Sequence, residues 1–195
     1  MNNTHLTSLK AKKLCKLCGA KCCWSIGPIL TFNDIKRIKT YFAQEEFFHE
    51  VRRGNKSYFT MKKIEEKCFF LNKRNYCLIN DVKPLDCLLF PIVLEISPIE
   101  KSDQWILNWR YHSCLLSQDK NLDELLQQAK RTIKEKEISE LLEYSKAMRM
   151  SKAYRRKNLL CSETISFLSS TNYLPKEYLI TRFSESQGEL GGSTD

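Results

Sequence analysis

The chain has 195 residues and a net charge of +9, with 32 lysine and arginine residues against 23 aspartate and glutamate residues. This length is enough for one ordinary hydrophobic core, so the chain does not need a metal ion merely to compensate for small size. Its nine cysteines are too sparse for a small secreted disulfide scaffold. The basic surface permits anionic partners but identifies none.

The N-terminal segment and the lengths of the apolar runs indicate in which cellular compartment the protein is expected. Residues 1–14 contain lysines but lack the apolar segment that follows such lysines in a secretory signal. No apolar run approaches the roughly 18 residues that identify a membrane-spanning helix. We therefore expect a cytoplasmic protein without a membrane partner, whose thiols stay reduced. In such a protein, spaced cysteines indicate metal binding rather than disulfides, while any single cysteine can also be a buried apolar residue.

Two helices are predicted near the N-terminus. The segment Thr31-Phe-Asn-Asp34 has the form of a capping box, so a helix is expected to begin near Thr31. Ile35 and Ile38 then follow at helical spacing. A second short helix is expected over residues 47–51, ending before Gly54.

The middle third of the chain is rich in aromatic and β-branched residues and predicts short strands. Suppose that residues 72–75 form a four-residue hairpin loop with Leu71 opposite Tyr76. Cys68 and Cys77 then lie on one face of the hairpin, as diagonal neighbours about 7 to 8 Å apart. The expected extended segments are 58–61, 68–71, 76–79, 88–96 and 105–109.

A helical pattern dominates the C-terminal third. It runs from residue 121 to about residue 160, has an apolar face that starts at Leu122, and breaks near Ile138. Residues 185–195 are too polar to fold. We therefore expect an α+β fold with four parts. These are a flexible arm at 1–14, a small irregular cysteine-cluster domain with N-terminal helices and short hairpin strands at 15–116, a helical extension at 117–184, and a disordered tail at 185–195.

Eight of the nine cysteines form a spaced array. Cys15 and Cys18 are separated by two residues and followed by Gly19, which tolerates the positive φ of a tight metal-binding turn. The adjacent pair Cys22 and Cys23 is unlike the rest, because neighbouring side chains point about 100° apart on a helix. Cys161 stands apart and is expected within the helical region. The predicted metal ligands are Cys15, Cys18, Cys22, Cys23, Cys68, Cys77, Cys87 and Cys114.

The cysteine spacing carries a family resemblance. The run Cys15-x2-Cys18-x3-Cys22-Cys23 is followed by Cys68-Phe-Phe-Leu71, Tyr76-Cys77-Leu-Ile79 and Lys83-Pro84-x2-Cys87-Leu-x-Phe90-Pro91. This pattern resembles the CxxCxxxCC cysteine-cluster proteins, the YkgJ-like family of zinc- or iron-chelating domains, over roughly residues 12–116. Flagellin lysine methylases are similar, longer relatives. The resemblance implies metal chelation by this cysteine set.

The chain departs from that family pattern beside the ligands. Lys83 stands where arginine is usual before the proline, Leu88 where arginine often follows the cysteine, and Asn80 where tyrosine is common. These changes leave the cysteines intact. They put in doubt any function that depends on the basic or aromatic neighbours.

The chemistry of the donors limits the metal. Thiolate ligation favours Zn²⁺ or iron, including a [4Fe–4S] cluster, over magnesium or calcium. The sequence contains no P-loop, dinucleotide fingerprint, HExxH or nucleophile elbow, and His112 is expected to be an ordinary histidine rather than a ligand. We favour a metal-chelating protein without catalytic activity. The alternatives are an iron–sulfur enzyme or electron-transfer component of methylase type, and a zinc-stabilised nucleic-acid-binding module.

A basic stripe is predicted near the end of the helical region. Its residues recur at spacings of three or four, so a continuous helix would align them along one side. We expect this stripe to be solvated, or to give at most a weak and sequence-independent contact with an anionic partner. The stripe consists of Lys146, Arg149, Lys152 and Arg156.

Overall fold

The structure, a computed structural model, describes residues 17, 19–25, 27–43, 45–102, 104–114, 122–151 and 158–166. These residues form an α+β fold with a C-terminal helical part, as predicted. The helices are α1 (Lys21–Ser25), α2 (Phe32–Tyr41), α3 (Leu85–Leu89), α4 (Leu122–Lys134) and α5 (Ile138–Met150). The strands are β1 (Ile29–Leu30), β2 (Phe48–Arg53), β3 (Lys56–Met61), β4 (Lys63–Ile64), β5 (Lys67–Cys68), β6 (Ile92–Pro98), β7 (Gln104–Tyr111) and β8 (Asn158–Ser166). Short 3-10 turns lie at Glu45–Phe47 and Asn80–Val82.

The strands form three small antiparallel sheets. Their orders are β1-β3-β2, β4-β5 and β6-β7-β8. The strands expected at 58–61 and 105–109 are confirmed in β3 and β7, but residues 88 and 89 belong to α3 and the following strand begins only at Ile92. Within the described residues, no helix is long and apolar enough to cross a membrane.

The predicted capping box at the start of α2 is confirmed. The Thr31 hydroxyl accepts a hydrogen bond from the Asp34 backbone N–H at 3.1 Å, and the Asp34 carboxylate accepts one from the Thr31 N–H at 3.0 Å. Ile35 and Ile38 are buried, as their spacing predicts. Local sequence was sufficient here because both halves of the box lie within four residues.

The prediction of a helix over residues 47–51 was wrong. Phe48–Arg53 is strand β2, and it forms a hairpin with β3 in which Arg53 is opposite Lys56. The two-residue turn between them places Gly54 at φ +57°. Gly54 is therefore a hairpin turn residue rather than the end of a helix, since a positive φ at this position suits glycine.

The helical region predicted for residues 121 to about 160 also ends earlier than expected. Helices α4 and α5 are confirmed, with the break just before Ile138, but α5 ends at Met150 and residues 158–166 are strand β8. Strand β8 pairs with β7 along its whole length, from Gln104 opposite Ser166 to Tyr111 opposite Asn158. The pairing partner is far away in sequence, so the local pattern gave no sign of it.

Two hydrophobic cores support the fold. In the first, α4 and α5 cover β6 and β7, and the buried residues include Leu107, Trp109, Leu126 and Tyr144. The apolar face expected on α4 is confirmed by its buried side chains. The second core lies beneath the cysteine segments and includes Ile38, Phe47, Met61, Cys68 and Phe70. The domain boundaries at 116 and 184 stay predictions.

Candidate metal site

Six of the eight predicted ligands lie in the part of the chain that the structure describes. Cys15 and Cys18 lie outside the described residues. None of the seven cysteines within them forms a disulfide. The described members of the predicted ligand set are Cys22, Cys23, Cys68, Cys77, Cys87 and Cys114.

Helix α1 carries the adjacent cysteine pair. It follows two residues of positive φ, Gly19 at +66° and Ala20 at +54°, so the positive φ predicted at Gly19 is confirmed. The Cys23 backbone N–H donates to the Ala20 carbonyl at 2.8 Å, and the two Sγ atoms of Cys22 and Cys23 are 3.9 Å apart. The turn thus presents both thiols on a single short helix.

A cation–π contact holds α1 against the β4–β5 hairpin. The Lys67 Nζ lies 4.2 Å from the centre of the Trp24 ring. Lys67 is the neighbour of Cys68, and Trp24 is the neighbour of Cys23, so this contact places the two cysteine-bearing segments side by side. Cys68 itself is buried and lies opposite Lys63 in the hairpin.

The hairpin expected around residues 72–75 has a different register. Leu71 pairs with Cys77, not with Tyr76, so the loop contains five residues rather than four. The Asn72 side chain fills this loop by accepting the backbone N–H groups of Arg74 and Tyr76 at 2.9 and 3.0 Å. Asn75 completes the turn at φ +59°. An asparagine that accepts backbone N–H groups two and four residues ahead stabilises this longer turn.

Helix α3 carries Cys87 and is held by residues distant in sequence. The Asp34 carboxylate accepts the Leu85 backbone N–H at 3.0 Å, and the Arg37 guanidinium donates to the Lys83 carbonyl at 2.9 Å. Asp86 accepts the Ile29 backbone N–H at one carboxylate oxygen and the Tyr144 hydroxyl at the other, both at 3.0 Å. Sequence reasoning missed the roles of Asp34 and Tyr144, because nothing local connects them to a cysteine.

Four thiols from these separate elements lie within electrostatic range of one another, and we call them the four-thiol cluster: Cys22, Cys68, Cys77 and Cys87. The Cys68 thiol interacts electrostatically with those of Cys22 and Cys77. The Cys87 thiol interacts with those of Cys68 and Cys77. That Cys68 and Cys77 bind one ion stays a prediction, and the hairpin register from which it was inferred was wrong.

Burial keeps the four-thiol cluster protonated. It raises the pKa of Cys68 to about 11 and raises the pKa of Cys87 well above its ordinary value. Burial also raises the pKa of Cys77. At Cys22 the largest cause of the raised pKa is a hydrogen bond with Cys23, and burial is the second. Backbone N–H groups of Phe70 and Ile79 partly offset these effects at Cys68 and Cys77.

The donor set fits a soft metal ion in its chemistry. Among the described residues, no three histidine, cysteine, aspartate or glutamate side chains are arranged so as to hold an ion. The sulfur donors nevertheless match Zn²⁺ or iron, which bind thiolates. Because each thiol must lose its proton to bind, loading a metal here would release protons.

Two further cysteines and His112 lie on β7 and β8 or close to them. Cys114 follows the end of β7 by three residues, and the His112 ring lies 5.7 Å from that of Phe90. That Cys114 is a ligand and that His112 is an ordinary histidine stay predictions. Cys161 is in strand β8 opposite Trp109, so its expected place in a helix was wrong. Its electrostatic neighbours are Glu163, Lys130 and Asp123 rather than cysteines.

The basic stripe does not form as predicted. Helix α5 ends at Met150, and Ser151 is extended with φ −72° and ψ 137°, so a continuous helix does not align the four residues. The Arg149 guanidinium donates to the Ile96 carbonyl and to the Ser97 hydroxyl, both at 3.0 Å. Lys152 and Arg156 lie outside the described residues, and only Lys146 and Arg149 are placed on α5.

Comparison with protein families places part of the chain in a known family. The profile of the CxxCxxCC family, described as "Putative zinc- or iron-chelating domain", matches residues 14–115, slightly more than half of the chain. The family name writes two residues between the second and third cysteines, whereas this chain has Gly19, Ala20 and Lys21 there. Comparison with curated proteins and with solved structures finds no match.

Proposed function

This chain belongs to the CxxCxxCC family of zinc- or iron-chelating domains, and on that premise we propose that its cysteine array is the site that binds the metal. The observation that supports the proposal is that the thiols of the four-thiol cluster lie within electrostatic range of one another. Its members come from α1, β5, the hairpin at 71–77 and α3, yet their thiols interact with one another.

Each member of the cluster has a role in this proposal. Cys22, Cys68, Cys77 and Cys87 supply thiolates to the ion, and Cys23 is the neighbouring thiol that stands beside them. Cys15 and Cys18, which are separated by two residues, precede α1 in the sequence and add two donors. Cys114 completes the set of eight cysteines. Four cysteines suffice for one tetrahedral zinc or one [4Fe–4S] cluster, so eight allow two centres.

The protein is proposed to act by holding the metal rather than by catalysing a reaction. Cys68 lies in the second hydrophobic core, and Cys23 and Cys77 pack against it. We place the protein in the cytoplasm, where thiols remain reduced and available for metal. A bound [4Fe–4S] cluster would instead favour an electron-transfer or methylase-type role.

Metal analysis tests the proposal. We expect protein purified without oxygen to contain zinc or iron, and acid-labile sulfide if the iron is in a cluster. Cys77→Ser should lower the bound metal and the stability together, since metal binding and folding are coupled. Cys161→Ser is the matched control and should change neither, because its thiol lies among Glu163, Lys130 and Asp123. Wild-type protein free of zinc and iron, or Cys77→Ser protein with full metal content, would contradict the proposal.

A further inference from the structure

Helix α3 is too short to hold Cys87 in place by itself. It has five residues, and an isolated helix of this length is unstable in water. Its orientation therefore depends on tertiary contacts, which are the burial of Leu85 and Leu89 in the first core and a set of hydrogen bonds. Asp34 binds its first backbone N–H, and the Asp86 carboxylate joins it to β1 and to helix α5.

A single hydroxyl donates the hydrogen bond that joins α5 to Asp86. Tyr144 is fully buried, and its hydroxyl donates to the Asp86 Oδ1 at 3.0 Å. Burial and the charge of Asp86 raise the pKa of Tyr144 well above its ordinary value, so this hydroxyl remains a hydrogen-bond donor. A buried phenol needs such a partner, and here the partner is the residue that immediately precedes Cys87.

We propose that Tyr144 is a positioning residue of the metal site, which acts by fixing the Asp86 carboxylate and through it the Cys87 thiol. The inference rests on the proposed function. It extends the site beyond the segment that the family profile matches, because that segment ends at residue 115 and α5 begins at Ile138. Helix α5 is thereby part of the support of the thiol site.

The geometry gives the expected effect of losing this contact. The Tyr144 hydroxyl donates to the Asp86 Oδ1 at 3.0 Å, and Asp86 immediately precedes Cys87 on the short helix α3. Removing the hydroxyl therefore loosens α3 at Cys87 and weakens metal binding. Loss of a contact that orients a metal ligand typically lowers metal affinity by about tenfold or more.

Tyr144→Phe and Ser145→Ala form a matched pair of variants. Ser145 is the next residue on α5, equally buried, and its hydroxyl accepts the Ile96 backbone N–H at 2.7 Å and donates to the Ile96 carbonyl at 3.2 Å. Each variant thus removes one buried hydroxyl from α5. Only the first removes a contact with the cysteine-bearing helix.

Co²⁺ titration without oxygen provides the measurement, because thiolate-to-cobalt absorption reports both affinity and the number of thiolates. We expect Tyr144→Phe to bind Co²⁺ about tenfold more weakly with reduced thiolate absorption, and Ser145→Ala to match wild type. Metal-free stability, measured in urea, should fall in both variants. Equal Co²⁺ affinity in Tyr144→Phe and wild type, or equal losses in both variants, would overturn the inference while leaving the proposed function intact. Wild type that binds neither Co²⁺ nor Zn²⁺ would overturn both.

A second measurement needs no variant. Coupling is reciprocal, so binding of Zn²⁺ to wild-type protein should slow amide hydrogen exchange in α5. The β2–β3 hairpin serves as the internal reference. Protection of α5 that does not rise relative to the hairpin would also overturn the inference.

Discussion

Asp34 and Leu85 are 51 positions apart in sequence, yet the Asp34 carboxylate accepts the Leu85 backbone N–H at 3.0 Å. The same carboxylate closes the capping box at the start of α2 and forms an ion pair with Arg37 at 2.5 Å. Asp34 is fully buried. One carboxylate therefore caps its own helix and also fixes the helix that carries Cys87.

We expect Asp34→Ala to be strongly destabilising. The substitution leaves two backbone N–H groups and the Arg37 guanidinium without their carboxylate, and breaking a buried ion pair typically costs about 3 kcal/mol or more. Urea denaturation of the metal-free protein measures the change. The control is Glu50→Ala, which removes a carboxylate paired with Arg52 at 2.8 Å on an exposed strand. Glu50→Ala should have no measurable effect, and similar losses in both variants would contradict the prediction.

Alkaline pH should destabilise the metal-free protein through Cys68. Its folded-state pKa is about 11 against an ordinary 9.0, so the folded state keeps this proton at pH values where the unfolded state has lost it. The stabilisation is therefore complete below about pH 9 and decreases as the pH rises towards about 11, by about 1.4 kcal/mol for each pH unit.

The difference in unfolding free energy between wild type and Cys68→Ala isolates this thiol from the lysines that titrate in the same range. We expect that difference to shrink as the pH rises, when both proteins are measured in urea with reductant present. A difference that stays constant across the range would show that Cys68 does not titrate as the structure implies.

Gly27 should tolerate no side chain. A Cβ at this position would lie 2.2 Å from the Met61 carbonyl oxygen and 3.0 Å from the Thr60 hydroxyl. The backbone cannot move away easily, because the Gly27 carbonyl accepts the Thr60 hydroxyl at 2.9 Å. We expect Gly27→Ala to lower the unfolding free energy by about 3 kcal/mol, the upper range for overpacking.

Gly54→Ala is the comparison for that variant. Its Cβ would meet nothing within 4 Å, and the only penalty is its positive φ of +57°. A cost of about 1 kcal/mol is expected there. Thermal or urea unfolding of both variants measures the two losses of unfolding free energy. An equal loss in Gly54→Ala and Gly27→Ala would contradict the prediction.

Binding of nucleic acid should be weak at most. The basic stripe required a helix through residue 156, whereas α5 ends at Met150 and Arg149 donates to Ile96 and Ser97. We expect any affinity for single-stranded RNA or duplex DNA to be independent of sequence and to collapse as salt is raised. Fluorescence anisotropy at increasing salt measures it. Tight, sequence-dependent binding at physiological salt would make nucleic acid the principal partner.

The sequence predicted what depends on nearby residues. The capping box at Thr31, the two long helices and strands β3 and β7 follow from patterns a few residues wide. It failed where a distant partner decides the structure: β2 is a strand because it pairs with β3, and β8 because it pairs with β7. Local propensity is a weak guide in both cases, since packing and pairing dominate strand formation.

The candidate site was likewise predicted only in part from the sequence. Cysteine spacing predicted a shared ligand set, which stays a prediction, and four of its thiols from separate segments lie within electrostatic range of one another. The groups that hold α3 were not predictable, because Asp34 and Tyr144 are 51 and 58 positions from their partners. The hairpin register at Cys77 was missed by one residue, owing to the Asn72 side chain that enlarges the loop.

The pairing of β7 with β8 has a consequence for how the chain folds. Tyr111 is opposite Asn158, so the second and third strands of the sheet can pair only after the 46 residues between these two positions have been synthesised. Contacts of such long sequence separation slow folding. During synthesis, β7 leaves the ribosome well before its neighbour, with one edge open to pairing with another chain. We expect nascent or truncated chains that stop before residue 158 to aggregate through this edge.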